Sequence, residues 1–173
     1  IEAPPVRRAR HRLPWLIGGL AASALSAIVM KRYEDVLQSN LTIAFFIPAI
    51  VYLADAIGTQ SEAIAVRGLS LSRKPLLAVL GGELRTGLLI GATLSLLVLA
   101  PVWLFVGEPR LAVAVSTALF AASATATVLG FSLPWLLART GTDPAYASGP
   151  VTTIVQDLLS LLIYFATVSA LLR

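Results

Sequence analysis

Five long apolar stretches, at about residues 14–30, 41–66, 76–106, 111–138 and 150–172, constrain this chain more than any other feature. Each approaches or exceeds the roughly 20 residues that an α-helix needs to cross hydrocarbon. They are too long and too many to be core helices of a soluble domain. The composition agrees: 57% of residues are hydrophobic and 13% charged, against about 45–50% and 25% in soluble domains. The expected fold class is all-α and integral to the membrane, with five transmembrane helices per chain and little mass outside the lipid bilayer.

Residues 1–13 read as a basic leader, carrying Arg7, Arg8, Arg10 and Arg12. No small-residue cleavage site follows them, so they form a juxtamembrane strap and not a signal peptide. Residues 14–173 then make one transmembrane domain. Pro48 is expected to kink the second span. The third span is longer than a bilayer needs, which predicts tilt, a surface-lying start or a break near Gly81-Gly82.

An odd number of spans puts the termini on opposite sides. Arg7, Arg8, Arg10, Arg12, Arg67, Arg73, Lys74 and Arg139 fall on the N-terminal side, against Lys31, Arg32, Arg110 and Arg173 on the other. That bias favours a cytoplasmic N-terminus and an external C-terminus in a multi-pass protein of the cell inner membrane. The net charge of +4 follows this topology and does not point to nucleic acid. No internal repeat is visible, and five spans do not divide into inverted halves. If a transport path needs symmetry, a homodimer must supply it.

Several chemistries are excluded. The chain has no cysteine, and its single histidine, His11, lies in the basic leader. Thiolate metal sites, histidine clusters and a Ser-His-Asp triad are therefore ruled out within one chain. No phosphate loop or nucleophile set is present, so neither an enzyme nor an ATP-driven pump finds support.

What remains is a set of carboxylates inside apolar helices, where each costs several kcal/mol unless accompanied. Asp157 lies well inside the fifth span. Around it, Gly149, Thr153, Gln156, Ser160 and Tyr164 recur at spacings of three and four, and read as one polar stripe. That stripe is either a water-lined pore face or a seam of interhelical hydrogen bonds, with Asp157 protonated or paired with Arg85. In the second span, Asp55, Thr59 and Glu62 fall at i, i+4 and i+7, with Gly58 and Gln60 between them. They offer a second wall, unless Glu62 snorkels to Arg67. Glu83 and Arg85 open the third span and cannot face each other at i, i+2. Glu83 is either a carboxylate at the cation intake or half of a structural ion pair.

Small residues at Gly87-x-x-x-Gly91 and Gly18-x-x-x-Ala22-x-x-x-Ser26 are expected to let helices approach closely. The Ser123–Thr127 hydroxyls more often bond back to their own helix than line a pore. Asp143-Pro144 reads as a helix cap. Carboxylates of this kind suit a hard divalent cation. Magnesium dehydrates reluctantly and is typically held through its waters by one or two carboxylates. Two copies of Asp157 facing each other across a dimer axis would supply that charge.

The residues Asp143-Pro144-Ala145, Ser148-Gly149-Pro150, Thr152-Thr153 and Asp157 resemble the final-helix signature of the MgtE family of magnesium transporters. Phe46 and Pro48, Gly58-Thr59-Gln60-Ser61, Arg67-Gly68-Leu69, Glu83 with Gly87, and Gly130 with Pro134 extend the likeness over about residues 15–172. The resemblance implies a five-helix homodimer with its cation path along the subunit interface. It implies that Asp157 of both subunits binds a largely hydrated magnesium ion, assisted by oxygens at Gly149 and Thr153. The chain departs from the family at Ala54-Asp55-Ala56, where Gly-Gly-Asn is usual, and at Ser160, where glycine is common. Family members usually carry a cytoplasmic N-terminal domain and a CBS pair, and this sequence includes neither. The partners that follow are lipid, a second copy, divalent cations and, where it exists, a separate regulatory domain.

The reading is a passive channel or transporter for divalent cations, with magnesium first. Asp157, Thr153, Gly149, Asp55, Glu62 and Glu83 are its candidate ligands. The rival reading is a membrane scaffold whose buried acids only staple helices together.

Overall fold

A computed structural model describes residues 4–69, 76–141 and 144–172. In order, its elements are α1 (Pro5–Arg32), α2 (Glu34–Ser39), α3 (Thr42–Leu69), α4 (Leu76–Val106), α5 (Pro109–Arg139) and α6 (Pro144–Leu171). All but α2 contain a segment long and apolar enough to cross a membrane, which gives the expected five spans. Arg73, Lys74 and Asp143 lie outside the described residues.

Local chemistry sets the ends of these helices. Proline stands in the first turn of both α1 and α5, where its missing N–H has no helical acceptor to lose. Gly107 takes φ +76°, a conformation that L side chains rarely adopt. The turn there is short enough to send α5 straight back along α4. Gly141, after Arg139, takes φ +77°.

Two boundaries differ from the sequence reading, at the starts of α1 and α6, and of the alternatives for the long third span the break is absent. The leader's described residues from Pro5 onward are the opening turns of α1, which continues through Pro14 to Arg32. Arginine is a good helix former, and hydropathy alone does not report helices that continue past the lipid. α4 runs unbroken through Gly81-Gly82. α6 runs from Pro144 through Pro150 as one helix, not as a cap segment followed by a new span.

Packing centres on α5. It contacts α4, α3 and α6, whereas α1 touches the bundle mainly through α6. Gly87 and Gly91 allow the closest approach of α4 to α5. A Cβ at Gly91 would sit 2.9 Å from the Phe120 carbonyl oxygen, and one at Gly87 would sit 3.0 Å from the Ala124 Cα. The expected small-residue packing is therefore present here. On α1 it is Gly19, not Gly18, that meets a neighbour, Ile154 of α6. The Ser123, Thr125 and Thr127 hydroxyls donate to the Leu119, Ala121 and Ala124 carbonyls of their own helix.

α3 and α6 run antiparallel in a register fixed by three polar pairs. Tyr164 Oη donates to the Ile43 carbonyl at 2.7 Å, Thr153 Oγ1 to Asp55 Oδ1 at 3.1 Å, and Ser148 Oγ to Glu62 Oε1 at 2.5 Å. Tyr164 is fully buried, and Phe165 beside it stacks on Tyr33 with ring centroids 4.7 Å apart. Tyr164→Phe is expected to lower stability by about 1 kcal/mol, the usual net worth of one hydrogen bond. Thermal unfolding of the detergent-solubilised protein measures this. An unchanged midpoint would mean that the bond does not hold the register.

Candidate functional site

The polar stripe expected on α6 resolves into two rows. Ser148, Thr152, Gln156, Ser160 and Tyr164 recur every four residues and are all buried. Gly149, Thr153 and Asp157 recur at the same interval about 100° round the helix, and are half-buried. The first row packs into the bundle; in the second, Asp157 meets a cleft.

Asp157 lines that cleft, a space of roughly 320 Å³ bounded by α1, α3 and α6. Gly19, Ala22 and Ser26 of α1 form one wall, Pro48 and Val51 of α3 another. The small α1 residues leave the room. No described side chain donates a hydrogen bond to the Asp157 carboxylate, and no ion pair joins it to Arg85, which stays exposed on α4. The pairing with Arg85 weighed from sequence does not form. The Asp55 carboxylate lies close enough to act electrostatically on Asp157. Two carboxylates within electrostatic reach repel, and a cation placed beside them relieves the repulsion.

One turn toward the start of α6, Thr153 bonds Asp55. A further turn on, Ser148 bonds Glu62, and a Cβ at Gly149 would lie 3.8 Å from Glu62 Oε1. Five of the six candidate residues therefore fall along one seam, or groove, between α3 and α6, open at Asp157 and bridged by hydrogen bonds beyond it: Asp157, then Asp55 with Thr153, then Glu62 with Gly149. Thr59 and Gln60 lie on the exposed side of α3. Among the described residues no three acids or histidines converge as a closed ligand set. The groove thus offers carboxylates in sequence along its length, a geometry suited to an ion that keeps its waters.

Glu83 does not join them. α4 packs on α5 and barely touches α3. Its Gly87 lies against Thr127, which sets Glu83 a turn further along that contact, with α5 between it and the groove.

Two features escaped the sequence reading. Ser148 is a direct partner of Glu62, signalled only by its place beside Gly149. The second is a three-helix contact behind the groove. The Gln156 amide lies directly over Gly58, the Gly58 carbonyl presses on Gly130, and Gln156 Nε2 donates to the Ala126 carbonyl at 3.3 Å. Gly58 is thus a place where a neighbour's side chain occupies the Cβ position.

Comparison with known proteins fits this arrangement. The family model for MgtE, a divalent cation transporter, matches residues 47–167, which contain α5 and nearly all of the groove. A magnesium transporter MgtE of Bacillus subtilis is 36% identical over 168 residues, covering 95% of this chain and 37% of that protein. Proteins of the same name from Enterococcus faecalis and Thermus thermophilus are 34% and 32% identical, covering 100% and 99% of this chain. The chain spans less than two-fifths of the length of these relatives, 37–39%. It belongs to the MgtE family of divalent cation transporters.

Proposed function

We propose that this chain, as a homodimer, conducts a divalent cation passively across the inner membrane, with magnesium the principal ion. Asp157 of the two subunits binds one largely hydrated ion where the two clefts meet. The observation that carries this reading is the Asp157 carboxylate: mid-helix, half-buried, facing a cleft and lacking any donor among the described residues. Such a group needs a counter-charge, and one chain supplies half of a site for a hydrated ion.

Thr153, Asp55, Gly149 and Glu62 continue the path toward the end of the bundle where α1 begins. Their oxygens exchange hydrogen bonds with the ion's water shell, so the ion moves without stripping it. Glu83, behind α5, contributes only negative potential near that membrane face. The basic N-terminal end is cytoplasmic in this reading, so a negative interior draws the ion inward. For a divalent ion the driving force is about 4.6 kcal/mol per 100 mV.

The relatives named as magnesium transporters support magnesium as the ion. The scaffold alternative requires Asp157 to be satisfied within its own chain, and the open cleft speaks against it.

The test is uptake into liposomes holding a magnesium-sensitive dye. Flux is expected to rise steeply as an interior-negative potential is imposed, with no nucleotide present. Flux absent at every potential would favour the scaffold reading.

A further inference from the structure

The opening turns of α1 pose a separate question. Arg7, Arg8, Arg10 and Arg12 are all exposed, and the first turn of the helix has no acid. α1 is about 42 Å long at 1.5 Å per residue, some 12 Å more than a typical hydrocarbon core. Its apolar sequence starts at Leu13, so these turns extend into the headgroup layer. Arg67 and Arg139, at the last turns of α3 and α5, close the same end of the bundle.

The arginines are not equivalent. The stripe of α1 that meets the bundle runs Trp15, Gly19, Ala22, Ser26, Val29 and Tyr33, all half-buried. Arg8 and Arg12 continue the line of that stripe toward the helix start and are exposed there, while Leu16 and Leu20, also exposed, lie about 100–140° round the helix from it. Arg8, Ala9, Arg12, Leu13 and Leu16 line one shallow groove, with the two arginines nearer the helix start and the leucines further along. Leu16 is 57% and Leu20 73% exposed, continuing the leucines down the membrane-facing side.

We infer that Arg8 and Arg12 form a binding site for an anionic phospholipid, its phosphate between the two guanidinium groups and an acyl chain along Leu13, Leu16 and Leu20. The amphiphile matches the site at both ends. Arginine pairs favourably with phosphate in bidentate geometry, and the leucine row offers nothing but hydrocarbon contact. A soluble anion would use only the upper half. A basic segment at this depth also attracts anionic headgroups in proportion to its charge. None of the groove's residues lines the Asp157 cleft, so the inference does not rest on the cation path proposed above.

The full chain, reconstituted in bilayers of mixed phosphatidylcholine and phosphatidylglycerol, tests this by native mass spectrometry of the lipids it retains. Wild type is expected to carry phosphatidylglycerol well above its share of the bilayer. Arg8→Gln with Arg12→Gln should lower that enrichment on the order of tenfold. Both side chains are exposed and the bundle does not rest on them, so folding serves as a control. Arg110→Gln, at the opposite end, should change nothing. The inference is overturned if the double variant keeps its phosphatidylglycerol, or if Arg110→Gln loses as much. It is also overturned if water-soluble glycerol phosphate displaces the lipid, since the leucine row would then have no part.

Discussion

Asp157→Asn is expected to cut magnesium flux at least about 100-fold while leaving the bundle folded. The side chain keeps its size and loses only its charge. That charge has no donor among the described residues, so its removal costs the fold little. The transported ion loses its main counter-charge at mid-membrane. Altering groups that merely orient a metal ligand costs about 10–100-fold, so neutralising a principal charged group should cost no less. Uptake by dye-loaded liposomes, with thermal unfolding alongside, separates the two effects. Flux within a few-fold of wild type would remove Asp157 from the path. A collapsed fold would show that the carboxylate is structural.

The second large effect is expected behind the groove. Gly58→Ala places a methyl group where the Gln156 amide lies. Gln156 is buried and tied to the Ala126 carbonyl, so it has little freedom to yield. Overpacking of this kind typically costs about 1–3 kcal/mol. It also shifts α6 against α3, and so shifts Thr153 against Asp55. Shortening the obstacle should undo the damage: Gly58→Ala combined with Gln156→Ala is expected to recover most of the stability lost by Gly58→Ala alone. Gly130→Ala makes the contrast. Its methyl group would meet the Gly58 carbonyl, which is backbone, so Gln156→Ala should not rescue it. Equal rescue of both glycine variants would contradict the contact as described.

The spans and the acids were legible because both are local properties. Hydropathy counts apolar residues along the chain, and five runs of that length have no other home than lipid. The same reasoning picked out Asp157, since a carboxylate in such a run is conspicuous wherever the helix packs. What could not be read was relative placement. Gly149, Thr153 and Asp157 form one row and Ser148, Thr152 and Gln156 another, separated by a single residue step. Sequence spacing shows both rows, but only the positions of α3 and α5 decide which row is buried. Glu83 illustrates the same limit. Its chemistry matches that of Asp55, yet α5 stands between them, and nothing within α4 encodes that. Gly58 was visible as a glycine in a helix, while its reason, a glutamine about a hundred residues later, is a tertiary fact. That α1 already begins among the opening arginines was not legible for a different cause: hydropathy falls there, whereas helix propensity does not.

The account rests on two copies of Asp157 sharing one hydrated ion. The most direct measurement is the stoichiometry of magnesium bound to the purified protein in bilayer discs, by equilibrium dialysis. One ion per two chains, absent in Asp157→Ala, is the expected result. One ion per single chain, or the same binding in Asp157→Ala, would contradict it.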